Sequence, residues 1–142
     1  ERSERINRNT DSSSLPFKAS WDLKGKKRNP SEENIIFETL DNFVLKRKVK
    51  RIDLIKIDTD GYELKVIKGG LDSLANFSPL IIIEIGNTLN RVGDNIEDLI
   101  DILTGLNYKL FSIPNKREFL SKSEIVKEID KLRTFDCLCI KK

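Results

Sequence analysis

The strongest constraint on the fold is the regular alternation of apolar, strand-like runs with helix-like segments. Residues 80–85 (LIIIEI) form the most apolar run, which is typical of a strand in the centre of a parallel sheet. A shorter run at residues 52–58 predicts the preceding strand, buried on both faces, and apolar residues recur at helical spacing in residues 62–68 and 96–103. Strands that alternate with helices predict an α/β fold with helices on both faces of the sheet.

The remaining predicted elements continue this alternation. They are a strand at residues 35–37, a helix at 40–46 capped by Thr39, a helical segment at 71–77, a strand at 108–113, a helix at 123–132 started by a serine cap, and a closing strand at 135–140. Residues 1–34 are mainly polar, and we interpret them as an arm with short strands that precedes a single α/β unit at residues 35–142.

Composition argues against several classes of function. Basic and acidic residues nearly balance, giving a net charge of +3, and no basic cluster is interleaved with aromatic residues, so we expect no nucleic-acid partner. No apolar run approaches the roughly 20 residues of a membrane span or resembles a signal peptide, which predicts a cytoplasmic protein. Cys137 and Cys139 alternate within an apolar run, and we expect reduced core thiols and no metal site.

Several charged residues surround the end of the strand predicted at the IKID sequence. Asp58 ends this strand, and Lys56 lies two residues earlier, on the same face. A turn followed by a helix start accounts for Asp60 and Glu63 without any function, but it does not account for Lys56 or Asp58. Glu84 ends the next strand. Ligands bind at the carboxyl ends of such strands, so we expect Asp58 and Glu84 to face one crevice, with Lys56 paired to one of them.

Two known motifs invite comparison with this segment. A calcium-binding EF-hand loop requires glycine at its sixth position, whereas Gly61 is fourth from Asp58, so the spacing excludes such a loop. A strand that ends in Asp-x-Asp-Gly also resembles the nucleophile motif of haloacid dehalogenase-type phosphohydrolases, in which the first aspartate attacks phosphorus. That family typically carries threonine at the position of Tyr62, and too little chain separates this motif from the acidic sequence GDNIED at residues 93–98.

A longer segment, LDNFVLKRKVKRIDLIKIDTDGYELKVIKGGLDSLANFSPLIIIEIG at residues 40–86, resembles the C-terminal half of FkbM-type S-adenosylmethionine-dependent methyltransferases. The matching positions, in the order of the family pattern, are Leu40-Asp41, Ile55-Lys56-Ile57-Asp58, Asp60-Gly61, Glu63, Lys68-Gly69 and Glu84. Asp60 is a mild departure, because the family more often has glutamate there. The resemblance implies a Rossmann-like class I methyltransferase fold, of which residues 35–142 form the C-terminal portion, with a mostly parallel sheet flanked by helices.

The same resemblance implies methyl transfer from S-adenosylmethionine to a hydroxyl group on a sugar, glycan or polyketide-like acceptor. The implied catalytic residues are Asp58, Glu63 and Glu84, with Asp58 as the first choice for the general base, and the implied acceptor-binding residues are Lys56, Asp60 and Tyr62. Asp58 is also a candidate for a contact with the cofactor. The resemblance requires no metal.

The donor-binding motif of such folds, a glycine-rich loop after an apolar strand, is not found among the 142 residues. We therefore expect the chain to be the acceptor-side half of a methyltransferase, inactive without the donor half and prone to self-association through an uncovered sheet edge. A non-catalytic, methyltransferase-derived binding module remains an alternative. The retained carboxylates of Asp58, Glu63 and Glu84 argue against it.

Overall fold

The computed structural model describes residues 37–113 and 115–142, and within them four strands form one sheet. The strands are β1 (Leu54–Ile57), β2 (Leu80–Gly86), β3 (Tyr108–Ser112) and β4 (Thr134–Lys141), in the spatial order β1-β2-β4-β3. β1 pairs with β2 in parallel, whereas β4 is antiparallel to both β2 and β3. The sheet is therefore mixed, although three of its strands run in the same direction.

Helices connect these strands, and together they give the predicted α/β class. They are α1 (Leu40–Arg47), α2 (Glu63–Lys68), α3 (Leu71–Phe77), α4 (Thr88–Arg91), α5 (Ile96–Gly105) and α6 (Lys122–Leu132). Of the strand predicted at residues 35–37, only Phe37 lies within the described residues, and it is not in a strand. The predicted arm at residues 1–34 lies outside them. No helix in the described ranges is both long and apolar enough to cross a bilayer.

Side-chain caps mark the starts of α1 and α5. The Thr39 side chain accepts a hydrogen bond of 3.2 Å from the backbone N–H of Asn42, which confirms the predicted cap of α1. Asn95 caps α5 in the same way, at 2.8 Å from the N–H of Glu97. A serine, Ser121, occupies the N-cap position of α6, as predicted, but its side chain makes no capping bond. Its hydroxyl instead hydrogen-bonds the hydroxyl of Ser123.

One face of the sheet carries the hydrophobic core. Ile81 and Ile83 of β2 are fully buried, and they pair with Cys139 and Cys137 of β4, which are also fully buried and have free thiols, as predicted for core residues. Helical side chains cover this layer, and the most buried of them are Leu64, Ile67, Leu74, Leu99, Leu103, Ile125 and Ile129. The alternation of each strand therefore directs every second side chain into one packed layer.

The opposite face of the sheet is open, so the prediction of helices on both faces is wrong for the described residues. Leu54 is 54% exposed, its register partner Leu80 is 44% exposed, and Ile140 is 38% exposed. The crossovers from β1 to β2 and from β2 to β3 step in the same direction across the sheet. Right-handed crossovers that step in one direction place their helices on one face. Leu54 and Lys56 of β1 are both exposed on this face, which also corrects the predicted burial of this strand on both faces.

The first helix is joined to α3 by a capping contact. The N–H of Asp41 donates to the carbonyl of Gly69 at 3.0 Å, and the Asp41 carboxylate accepts bonds from the start of α3. A side chain at Gly70 would lie 2.8 Å from Leu40, so glycine permits this close approach. The Leu-Asp and Lys-Gly positions of the sequence pattern thus contact each other and hold α1 against the body of the fold.

Candidate active site

Asp58 and Glu84 lie side by side at one end of the sheet. The parallel register pairs Lys56 with Ile82 and Ile57 with Ile83, and the next residues on the two chains are Asp58 and Glu84. This confirms the prediction that their strands are adjacent and parallel, with both carboxylates at the same edge. Glu84 lies inside β2, which continues to Gly86, whereas Asp58 directly follows the last residue of β1. We call the end of the sheet around these two carboxylates the acidic mouth.

Lys56 is the partner of Asp58, as the sequence predicts. The ammonium Nζ lies 2.5 Å from the Asp58 carboxylate, and both side chains are about half exposed. The hydrogen bond to Asp58 is the main cause of the raised pKa of Lys56, and the charges of Asp58, Asp136 and Glu84 raise this pKa further. Lys56 therefore stays protonated and brings a positive charge to a group of carboxylates.

Glu84 is half-buried, and its environment disfavours its charge. Burial is the largest cause of the raised pKa of Glu84, and the negative charges of Asp58, Glu63 and Asp60 add to the effect. A hydrogen bond from the Thr134 side chain acts in the opposite direction, because it stabilises the carboxylate form. Asp58 and Glu84 thus differ in environment, since Asp58 has a lysine partner whereas Glu84 is desolvated and surrounded by like charges.

Asp136 is a further acidic residue of this end of the sheet, and the sequence-based reasoning missed it. It lies opposite Glu84 in the antiparallel register of β2 and β4, and its side chain is exposed. Its charge contributes to the raised pKa of Lys56. The available signal was a single acidic residue in the otherwise apolar strand FDCLCI. The pairing with Glu84 depends on a register between distant segments, which no local pattern reveals.

The turn after β1 has an unusual backbone and packs against the segment after β2. Asp60 has φ of +52° and Gly61 has φ of +111°, so glycine is favoured at the second position. A side chain at Gly61 would come within 2.6 Å of the Thr88 carbonyl oxygen. The segments that follow β1 and β2 therefore pack closely against each other. Asp60 is exposed on the surface of this turn.

Tyr62 lies at the start of α2, half-buried, with Lys65 over its ring. The Lys65 ammonium is 4.9 Å from the ring centroid, within the range of a cation–π contact. The same ammonium forms a 2.8 Å ion pair with Asp94, in the loop before α5. Tyr62 and Asp60 are thus both near the turn, and the Lys65–Asp94 pair gives a second link between the segments after β1 and β2.

Glu63 differs from the other predicted catalytic carboxylates because its side chain is completely buried. Its Oε1 atom accepts hydrogen bonds from the N–H of Thr59 at 2.9 Å, the hydroxyl of Thr59 at 2.9 Å and the N–H of Gly61 at 3.2 Å. Its Oε2 atom is buried and accepts no hydrogen bond from the part of the chain that the structure describes. The carboxylate of Glu63 therefore points into the turn and not into solvent.

The acidic mouth combines exposed carboxylates with one lysine. Asp58 and Asp136 are exposed, and Glu84 is partly accessible between them. Such a group of carboxylates can accept a proton from a hydroxyl and attract a cationic ligand. Within residues 37–113 and 115–142, no group of three or more acidic, cysteine or histidine side chains is arranged to hold a metal ion.

Comparison with known families identifies the relatives of this chain. Residues 4–110 match the family model described as the methyltransferase FkbM domain. The match covers about three quarters of the sequence, and the chain belongs to the FkbM methyltransferase family. This confirms the resemblance found in residues 40–86. Searches among curated proteins and among solved structures gave no significant match.

Proposed function

We propose that this chain acts in methyl transfer from S-adenosylmethionine to a hydroxyl group, on a sugar, glycan or polyketide-like acceptor. The observation that carries the proposal is the adjacency of Asp58 and Glu84 at the carboxyl ends of two parallel strands, in a chain of the FkbM family. Ligands of α/β sheets bind at such strand ends. The acceptor class is the one that the sequence resemblance implies, and the geometry does not bear on it.

The same observations support a Rossmann-like class I methyltransferase fold. β1 and β2 are parallel and are joined by helices, which is the repeating unit of Rossmann-like folds. We propose that residues 35–142 form the C-terminal portion of a class I methyltransferase domain. The antiparallel β4 is then part of this C-terminal portion, and its Asp136 extends the acidic mouth.

Asp58 is the proposed general base. Its carboxylate is exposed, and Lys56 holds it in one position through their 2.5 Å contact. In the proposed step, Asp58 takes the hydroxyl proton of the acceptor while the acceptor oxygen forms its bond to the methyl carbon and the sulfur–methyl bond breaks. Glu84 and Asp136 lie beside this point and orient further hydroxyl groups of the acceptor.

S-adenosylmethionine supplies a methyl group on a positively charged sulfur, and the carboxylates of the acidic mouth suit that charge. Asp58 is the residue of this chain proposed to lie nearest to it. The adenosyl part of such a donor is usually held by a glycine-rich loop after a strand. The 142-residue sequence has no such loop, so we assign no residue to this part of the donor.

The proposal is tested by comparing two aspartates at opposite ends of β1. Asp58→Asn removes the proposed base, whereas Asp53→Asn changes an exposed aspartate that pairs with Arg51 at 2.6 Å. The assay uses the full natural protein. It measures methyl transfer from radiolabelled S-adenosylmethionine to a panel of glycans and small hydroxyl compounds. We expect Asp58→Asn to lower kcat by about a hundredfold or more and Asp53→Asn to leave it unchanged.

Three results would count against the proposal. Equal transfer rates for Asp58→Asn and the unmodified protein would show that this residue is not the base. Hydrolysis of p-nitrophenyl phosphate that disappears in Asp58→Asn would favour the phosphohydrolase alternative, in which the aspartate attacks phosphorus. A protein that binds hydroxyl acceptors and S-adenosylmethionine but transfers no methyl group would support the binding-module alternative.

A further inference from the structure

The turn between β1 and α2 depends on one buried carboxylate. Three donors of residues 59–61 bond the Oε1 atom of Glu63, and these residues directly follow Asp58. Two of the donors are backbone N–H groups, so the contact fixes the path of the chain itself. The Glu63 side chain is fully buried and cannot contact an acceptor in this conformation.

The contact selects one path for a turn whose residues have other conformations available. Asp60 and Gly61 have positive φ in succession, which costs glycine little and is less favourable for aspartate than a negative φ. The close approach of Gly61 to the Thr88 carbonyl limits the turn on its other side. Glu63 and the segment after β2 thus hold the turn from two directions, and the direction of the turn sets where Asp58 and Asp60 lie.

A buried carboxylate is energetically unfavourable at this position. Its Oε2 atom is buried without a hydrogen-bond donor from the described residues, and burial of an unpaired acceptor is unfavourable. Its negative charge also acts unfavourably on the neighbouring Glu84 carboxylate. Packing alone would favour an apolar side chain here. The bonds of Oε1 to the turn therefore give the reason for an acceptor at this position.

We propose that Glu63 is a positioning residue that fixes the turn after β1, and through it the placement of Asp58, without itself contacting the acceptor. This inference deepens the proposed function and rests on it for the role of Asp58. It changes the role implied by the family resemblance, in which Glu63 is one of the catalytic carboxylates.

The test uses two substitutions that differ in one property. Glu63→Gln keeps an oxygen that accepts the bonds of Thr59 and Gly61, whereas Glu63→Leu removes them at similar size. Glu97→Gln is the matched control, because Glu97 also lies in the first turn of a helix but is exposed. Amide hydrogen exchange of the full chain is followed by NMR. We expect exchange at Thr59 and Gly61 to be at least about tenfold faster in Glu63→Leu and within about threefold of wild type in Glu63→Gln and Glu97→Gln.

Methyl transfer separates positioning from general stability. Ile129→Val, in the core on α6, supplies a variant with a modest loss of stability away from the turn. We expect Glu63→Leu to lower kcat at least about tenfold with KM little changed. Glu63→Gln should retain most of the wild-type kcat, and Ile129→Val should not change kcat below its unfolding temperature.

Unchanged exchange in Glu63→Leu would overturn the inference. So would a Glu63→Gln variant with an intact turn and no transfer, since that would assign Glu63 to direct chemistry. The exchange result does not depend on methyl transfer, so it stands apart from a failure of the proposed function.

Discussion

Asp41 and Ser73 are joined by two hydrogen bonds across 32 positions of sequence, from the Ser73 backbone N–H at 2.8 Å and its hydroxyl at 2.6 Å. The same carboxylate accepts a third bond, of 3.2 Å, from the N–H of Asp72. Gly70 occupies the N-cap position of α3 and has no side chain to cap it. Asp41 therefore caps a helix to which it does not belong, and the Leu-Asp element of the sequence pattern serves the fold and not the acidic mouth.

Loss of this cap should destabilise the protein. We expect Asp41→Ala to lower the free energy of unfolding by about 1–2 kcal/mol, because two backbone N–H groups and a hydroxyl lose their acceptor. Asp53→Ala is the control, since it breaks only an exposed ion pair and should cost less than about 0.5 kcal/mol. Urea denaturation followed by circular dichroism measures both. Equal effects of the two substitutions would contradict the capping role.

Two glycines should respond in opposite ways to alanine. Gly61→Ala places a side chain 2.6 Å from a backbone carbonyl at a positive φ, and we expect a loss of at least about 2 kcal/mol. Gly105, the last residue of α5, has open space around it. Gly105→Ala should be neutral or stabilising by up to about 1 kcal/mol, because alanine favours helix. Thermal unfolding of the two variants in one buffer gives the comparison, and a stable Gly61→Ala would show that the turn adapts.

The raised pKa of Glu84 makes a prediction about stability and pH. A carboxyl group whose pKa is higher in the folded state than in the unfolded state favours folding when protonated, and this contribution is lost as the pH rises through the folded pKa. Glu84→Gln removes the unfavourable charge and keeps a similar shape. We expect this variant to unfold at a higher temperature than wild type at pH 7. Below about pH 4, where the Glu84 carboxyl of the wild type is protonated in both the folded and the unfolded state, we expect the two proteins to unfold at the same temperature. A variant that is less stable than wild type at pH 7 would show that the Glu84 charge is favourable.

Thr134 should control the protonation of Glu84. Its hydroxyl bonds the carboxylate and opposes the effects of burial and like charges. Thr134→Val keeps the shape but removes the donor, so we expect the pKa of Glu84 to rise further. Thr104→Val is the control, because the Thr104 hydroxyl donates to the Ile100 carbonyl at 2.8 Å in α5. Titration of the Glu84 side-chain carbon by NMR in the three proteins measures the effect. A lower pKa in Thr134→Val would contradict the assigned bond.

Local patterns in the sequence predict the elements of this fold well. Apolar runs and helical stripes place β1, β2, α2 and α5 within a few residues, and the order of elements predicts the adjacency of Asp58 and Glu84. The contact of Lys56 with Asp58 follows from their two-residue spacing in a strand. These features depend on residues that are close in sequence or on consecutive strands.

Features that depend on distant pairing were not predictable in the same way. The position of β4 between β2 and β3 brings Asp136 to Glu84, and no local pattern specifies that register. The open face of the sheet follows from the direction of successive crossovers, which requires the strand order. The sequence places Glu63 at a helix start, and only the folded turn reveals that its carboxylate points inward.

Strand alternation separates the residues of the acidic mouth from those of the core. Lys56 and Glu84 lie on the open face of the sheet, while Ile57 and its partner Ile83 lie in the packed layer beneath. Exposed positions usually tolerate substitution at little cost in stability. Natural selection can therefore alter the charge pattern of the acidic mouth while the interior stays the same, and related chains can differ in these charges on one unchanged framework.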